Sequence, residues 1–224
     1  MTRRAIAVYD LDRTITRRPT YSHFLLHAAR RNAPLRLALV PLVPICMLAY
    51  IAGLIDRDRL KSAMWGLLLG KADPQRLSEA IGSFTRWTLS ANIRPGARRQ
   101  IAHDRDRGAL LVLATAALDL YARPIAEGLG FDAVVATRMA VGGDGRIGPA
   151  LAEANVYAAA KLAALERLLV DREIARADTQ ISFYSDSSTD RPVFIWADEP
   201  VAVAPSRKLA RMAAEAGWTV MDWG

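Results

Sequence analysis

Asp10-Leu11-Asp12-Arg13-Thr14 follows the apolar run Ala5-Ile6-Ala7-Val8-Tyr9 near the start of the chain. Carboxylates two residues apart on an extended chain share a face, and where a buried strand ends both reach the same edge. Such a pair can share a cation, or divide the work of a nucleophile and a general acid or base. Taken alone, Asp-x-Asp is equally the mark of a strand running into an Asp-rich turn. Groups of matching chemistry recur downstream, however. Thr115 closes the run Ala109-Leu110-Leu111-Val112-Leu113-Ala114, and Asp186-Ser187-Ser188-Thr189-Asp190 follows Gln180-Ile181-Ser182-Phe183-Tyr184-Ser185. Lys161 adds a cation in a chain whose lysines stand only at positions 61, 71, 161 and 208.

The elements that must position these groups are legible as patterns. Continuous apolar runs of five or six residues read as parallel strands buried on both faces. From Pro95 onward helix and strand alternate: helix 96–107, strand 109–115, helix 118–129, strand 132–136, a glycine-turned hairpin over 139–147, helix 155–170 carrying Lys161, strand 180–184, strand 201–203, a helix capped by Ser206, and a strand at 218–221. That alternation predicts an α/β fold with a doubly wound, Rossmann-like parallel sheet. Ligands bind such sheets at the carboxyl ends of the strands, where Asp10, Asp12, Thr115, Asp186 and Asp190 all fall.

Between the first strand and the rest stands a helical block. Phe24, Leu25 and Ala28 fit one face of a helix over 21–31, and further helices are expected over 59–69 and 74–91, the last with Asp73 as cap and Pro74 in its first turn. The expected organisation is a core of residues 1–16 and 94–224 with an inserted helical cap domain, 17–93, placed like a lid. His23 and His27 lie four apart, but no acidic partner is near, so they read as surface or cap residues.

Residues 37–55 are nineteen positions without a charge. By length they qualify as a membrane span, yet a single crossing would put Asp10 and Asp186 on opposite sides. Pro41 and Pro44 also favour a kinked helix or two short pieces. The reading is a buried helix of the insert, with peripheral contact to a membrane or a partner as the alternative.

Composition sets outer bounds. A chain of 224 residues with 52% hydrophobic content can bury a sizeable core, and its net charge of +7 suits an anionic partner: nucleic acid, anionic lipid or a phosphorylated metabolite. No zinc-finger spacing or basic low-complexity tail supports nucleic acid. Cys46 is the lone cysteine, so no internal disulfide can form and a reducing compartment is expected. The start, Thr2-Arg3-Arg4 and a five-residue apolar run, is too short for a signal-peptide core. The expected location is the cytoplasm, with contact at the inner membrane face left open.

The ordered set resembles the four motifs of the haloacid dehalogenase superfamily of phosphatases and phosphotransferases. Asp10 to Thr14 looks like its first motif, Thr115 its second, Lys161 its third and Asp186 to Asp190 its fourth. The insert after the first motif looks like the cap of the phosphoserine-phosphatase-like branch, subfamily IB, as do Gly217-Trp218 and Trp223. The resemblance implies a Mg²⁺-dependent phosphomonoester hydrolase. Asp10 would attack phosphorus to form an aspartyl-phosphate, and Asp12 would serve as acid and then base. Asp10, the Asp12 carbonyl and Asp186 would hold the metal, supported by Asp190. Thr14 would buttress the loop, Thr115 and the backbone at Ala116 would meet the phosphoryl group, Lys161 would offset charge, and Arg17 and Arg18 would face an anionic substrate.

Three departures narrow the substrate. Arg13 stands where the family often has a small residue, acting through its backbone. Ala116 and Ala117 replace hydroxyls. No carboxylate occurs between Asp12 and Asp56 to hold an amine, which argues against phosphoserine and for a small phosphorylated metabolite or a phospholipid-like headgroup. Two other readings stay open: a membrane-associated or partner-binding module with weak or no hydrolysis, and a phosphotransferase that passes the phosphoryl group to an alcohol.

Overall fold

The computed structural model describes residues 3–224, so Met1 and Thr2, at the head of the basic start, lie outside the described residues. Strand β1 (Arg4–Tyr9) leads into the insert, which holds α1 (Thr20–Asn32), a 3₁₀ stretch (Pro34–Leu42), α2 (Val43–Ile51), α3 (Arg57–Leu68) and α4 (Pro74–Trp87). The remainder alternates as α5 (Pro95–Asp106), β2 (Leu110–Leu118), α6 (Asp119–Leu129), β3 (Ala133–Thr137), β4 (Met139–Val141), β5 (Ile147–Leu151), α7 (Ala159–Asp171), β6 (Thr179–Ser185), α8 (Arg191–Trp196), β7 (Glu199–Val203), α9 (Arg207–Ala216) and β8 (Thr219–Met221).

Six strands form one sheet in the order β3-β2-β1-β6-β7-β8, and every neighbouring pair is parallel. Because side chains alternate along a strand, β1 sends Ala7 and Tyr9 to one face and Ile6 and Val8 to the other. The first face packs against α5, α6 and the insert through Ile101, Tyr121 and Phe24. The second packs against α7, α8 and α9 through Leu165, Phe194 and Leu209. Both faces are covered, as the unbroken apolar runs require, and the fold is the expected doubly wound, Rossmann-like α/β sheet. The separate pair β4 and β5 is antiparallel.

The insert leaves and rejoins the sheet through a short paired stem. Thr16 and Ile93 form an antiparallel bridge, Arg17 N–H donates to the Asn92 carbonyl at 2.8 Å and Arg94 N–H to the Ile15 carbonyl at 2.9 Å. Asp56 and Asp73 cap α3 and α4 by accepting from Arg59 N–H and from Gln75 and Arg76 N–H. Phe24, Leu25 and Ala28 are fully buried on the inner face of α1, as their spacing predicts.

One expectation fails outright. Residues 37–55 are not a buried helix: none of the stretch from Pro34 to Ile51 is buried, and Leu48, Ile51 and Leu54 are 63%, 73% and 74% exposed. The run divides at its prolines into the 3₁₀ piece and α2. Only an inner stripe of Leu37, Val40, Val43, Cys46 and Tyr50, with Ile55 at its end, touches the core. Helix 155–170 also starts later than expected, at Ala159, because Asn155 is drawn out of it by long-range bonds described below.

The chain's end closes on the sheet through Gly96, whose N–H donates to the Trp223 carbonyl at 3.0 Å. A Cβ on Gly96 would lie 2.5 Å from Trp223 Cα and Cβ, so space forbids a side chain there. Gly96→Ala is therefore expected to lower stability by roughly 1–3 kcal/mol, seen as a lower urea midpoint with unchanged slope.

Candidate active site

Strand order brings the strand-end groups together. β1 lies between β2 and β6, so Asp10 stands between Thr115 and Ser185-Asp186 at one edge of the sheet. Asp10 continues the ladder, its N–H donating to the Tyr184 carbonyl at 2.9 Å. The chain then tightens into a single turn. Asp12 stays extended, and Arg13 takes left-handed geometry at φ 62° and ψ −7°. A non-glycine residue there costs about 1–2 kcal/mol, offset by bonds on either side: Arg13 N–H donates to Thr16 Oγ1 at 3.2 Å, and Arg94 Nε donates to the Arg13 carbonyl at 3.2 Å.

That turn parts the two carboxylates. Asp12 Oδ1 accepts from both the N–H and the hydroxyl of Thr20, each at 2.7 Å, at the first residue of α1. Asp10 Oδ1 instead accepts from Lys161 Nζ at 2.9 Å. The Thr14 hydroxyl lies 3.5 Å from Asp10 Oδ2 and 3.4 Å from Asp186 Oδ1, so its single proton serves one of them weakly. Its oxygen accepts from Asp186 N–H at 2.9 Å, fixing the β6 loop against the β1 loop.

Lys161 sits in the first turn of α7 and is 2% exposed, with Nζ also donating to Asp190 Oδ2 at 2.7 Å. The same Asp190 oxygen accepts from Ser185 Oγ at 2.7 Å. Asp190, expected beside the metal, is thus seated on the lysine and the serine. Just before α7, Ala158 has φ 51°, a second unfavourable backbone geometry at the wall of the site. In β2 the register shifts between Thr115 and Leu118, and the Thr115 hydroxyl accepts from Ala117 N–H at 3.0 Å across this bulge.

Asp10, Asp12, Thr115, Lys161, Asp186 and Asp190 line a cavity of about 370 Å³, together with Ala116, Arg13, Arg57 and Tyr157, while Thr14 stands behind it as a brace between the two loops. Arg17 and Arg18 do not line it. Both are exposed, and Arg18 N–H is tied to Asn92 Oδ1 at 3.0 Å. The guanidiniums that do line the cavity belong to Arg13 and Arg57, the latter stacked 4.0 Å from the Tyr157 ring centroid. His23 and His27 are engaged elsewhere, with the Pro19 carbonyl and Ser83 Oγ.

Lys61 and Asn155 escaped the sequence reading. Buried Lys61, from α3, donates to the Ala116 carbonyl at 2.5 Å and to Asn155 Oδ1 at 2.7 Å, which also accepts from the Thr137 hydroxyl at 2.8 Å. The insert is thereby pinned to the core beside the cavity. Burial pulls the Lys61 ammonium down to about 8, helped by Arg57 and opposed by Asp58 and Asp12. The scarcity of lysine was the one available signal.

Electrostatics sort the carboxylates. Burial pushes the Asp10 carboxyl up, against the pull of Lys161, and Asp190 and Asp186 add to the rise. Burial pushes Asp186 up to about 6, opposed first by Arg13. Asp12 is raised by burial too, against its bonds to Thr20 and the charges of Lys61 and Arg13. Lys161 also loses solvation, but the carboxylates of Asp10 and Asp190 outweigh that and hold it firmly as an ammonium.

Among the described residues no three His, Cys, Asp or Glu side chains converge as a ready-made metal cage. The donor chemistry still fits Mg²⁺: a hard cation takes oxygen ligands and keeps several waters, so one or two carboxylates suffice. Asp10 and Asp186 flank Thr14, and Lys161 does not bond Asp186.

The family model for haloacid dehalogenase-like hydrolases matches residues 7–194. The chain is 30% identical to the inhibition of morphological differentiation protein of Streptomyces azureus, over 98% of this chain and 79% of that one. Its structure is similar to that of a Bordetella pertussis protein of unknown function, with TM-score 0.87 and 24% identity over the whole of both chains. It is also similar in fold to a phospho-aspartyl intermediate analogue of phosphoserine phosphatase, with TM-score 0.67 and 18% identity over 100% of this chain and 95% of the other.

Removing one partner of a buried ion pair costs about 3–5 kcal/mol, and Lys161→Met is expected to lose stability on that scale at pH 7 in urea denaturation. The folded pKa of Lys161 is raised above its unfolded value. Its contribution is therefore complete below about pH 10.5 and fades as the pH climbs further.

Proposed function

Since the chain belongs to the haloacid dehalogenase-like hydrolases, we propose that it is a Mg²⁺-dependent phosphomonoester hydrolase that works through an aspartyl-phosphate on Asp10. The observation that carries this reading is the division of labour between the paired aspartates. One oxygen of Asp10 is held by Lys161, while Asp12 is turned away onto Thr20, and both side chains still line the cavity.

Asp10 attacks phosphorus, and the bond from phosphorus to the leaving oxygen breaks. Asp12 gives its proton to that oxygen, a role helped by burial, which favours its neutral form. Water then attacks the aspartyl-phosphate while Asp12 takes a proton back, so that Asp10 is regenerated and inorganic phosphate leaves. Lys161 orients Asp10 and favours its ionised form against the effect of burial. Thr115 and the main chain at the Ala116 bulge offer donors to the phosphoryl oxygens, and Arg13 and Arg57 add positive charge at the rim. Asp10, Asp186 and the Asp12 carbonyl would hold Mg²⁺, which when bound supplies charge neutralisation at the phosphoryl group. The helical insert acts as the cap that selects the substrate. Its contributions to this cavity are Pro19 and Arg57, with no carboxylate to receive an amine, which keeps phosphoserine an unfavourable substrate.

In assays of phosphate release from p-nitrophenyl phosphate, chelation by EDTA should abolish activity and added Mg²⁺ restore it. Asp12→Asn should lower kcat by about 10²–10⁴. Asp10→Asn should leave no turnover above background; activity near the wild-type level in that variant would remove Asp10 as nucleophile.

A further inference from the structure

The cavity at Asp10 adjoins a second one, of about 390 Å³. The two share Asp12, Arg13, Pro19, Arg57 and Ala116, so a bound molecule can occupy both. Beyond that shared wall the second cavity changes character: Met47 and Tyr50 from α2, Leu60 and Met64 from α3, and Tyr21 from α1 line it, with Ser22 and Lys61 as its polar members. A polar phosphate subsite thus continues into a mostly apolar pocket with flexible methionine walls, which adapt to an irregular or extended chain.

That pocket is built partly from the segment with the misplaced apolar surface. Met47 and Tyr50 sit on α2, whose other side chains Ile45, Leu48 and Ile51 are 59–73% exposed, with Leu35 and Leu54 exposed on either side. The stretch from Pro34 to Ile51 is long and apolar enough to cross a membrane, yet none of it is buried in protein. It cannot cross here: α1 before it and α3 after it are both anchored in the same body, by Phe24 and Leu25 and by Trp65 and Leu68. Exposed Arg30 and Arg31 precede the stretch, Arg36 lies in its first turn with its guanidinium on the Gly66 and Leu67 carbonyls, and exposed Arg57 and Arg59 follow it, alternating with Asp56 and Asp58. An apolar helical face framed by arginines is the pattern of an element lying in the interface of an anionic bilayer.

We propose that the substrate is an amphipathic phosphomonoester with a long acyl-type chain, taken from an anionic lipid surface on which residues 34–55 rest. The phosphate enters the site at Asp10 and the chain lies in the pocket of Met47, Tyr50, Leu60 and Met64. This rests on the reading of the site as a phosphomonoesterase, and it identifies the occupant of the exposed face through continuity with the catalytic cavity and through charge.

Two measurements on the full chain test it. First, flotation with phosphatidylcholine vesicles, with and without phosphatidylglycerol, should show binding that needs the anionic lipid and weakens in high salt. The triple variant Ile45→Glu, Leu48→Glu, Ile51→Glu, altered only at exposed positions, should lose that binding while hydrolysing p-nitrophenyl phosphate like the wild type. Second, wild-type kcat/KM for 1-acyl-glycerol 3-phosphate should exceed that for glycerol 3-phosphate by about tenfold or more. Equal kcat/KM for the two glycerol phosphates would overturn the proposal. So would failure to float on anionic vesicles, or sedimentation showing a dimer that the triple variant abolishes, which would assign the face to a second copy. With Mg²⁺-dependent p-nitrophenyl phosphate turnover intact, those results sink this inference alone. Absence of turnover on every phosphomonoester sinks the phosphatase reading and this inference together.

Discussion

A buried ammonium between two buried carboxylates organises this molecule. Lys161 touches Asp10 from β1 and Asp190 from the loop after β6, and all three are nearly inaccessible to solvent. Without that cation, carboxylates this deep would drive one another neutral, since burial and mutual repulsion act in the same direction. With it, that drift is opposed at Asp10, whose carboxyl is held pointed at the ammonium, while Asp186 and Asp12 retain their own environments. The lysine also joins three elements distant in sequence, so the chemistry of the site and the closure of that end of the sheet rest on the same contacts.

Topology explains why the contacts can form at all. In the order β3-β2-β1-β6-β7-β8 the chain winds outward from β1 in both directions, and the crevice opens where the winding reverses. Asp10 sits at that reversal with neighbours on either side. The tight turn that follows carries the strain of a left-handed arginine, and this geometry sends Asp12 to the first turn of α1 while Asp10 stays with Lys161. The insert is tied to that turn through Thr20 and through the Thr16–Ile93 stem, and to the neighbouring end of β2 through Lys61 on the Ala116 carbonyl.

What could be read from the residues was what local physics dictates. Apolar runs ending in Asp or Thr revealed parallel strands and the ends that line the cavity, because burial on both faces leaves no room for alternation. Phe24, Leu25 and Ala28 announced the buried face of α1 by spacing alone. Long-range contacts were not legible: Asn155 reads as part of a helix until Lys61 and Thr137, from other elements, claim its side chain. The segment 37–55 misled for a different reason. An apolar helix has the same composition whether protein covers it or not, and only the packing shows that just one stripe is covered. Arg17 and Arg18 were the nearest arginines in sequence to the first motif. The turn and the stem carry them away, and the cavity receives Arg13 and, from α3, Arg57.

The central claim is that Asp10 itself carries the phosphoryl group. Acid quenching during turnover of a ³²P-labelled phosphomonoester, followed by peptide mapping with hydroxylamine sensitivity as the check for an acyl phosphate, tests it most directly. Label is expected on the peptide containing Asp10, with its release by hydroxylamine. Rapid turnover with no protein-bound label, or label on any other residue, would contradict it.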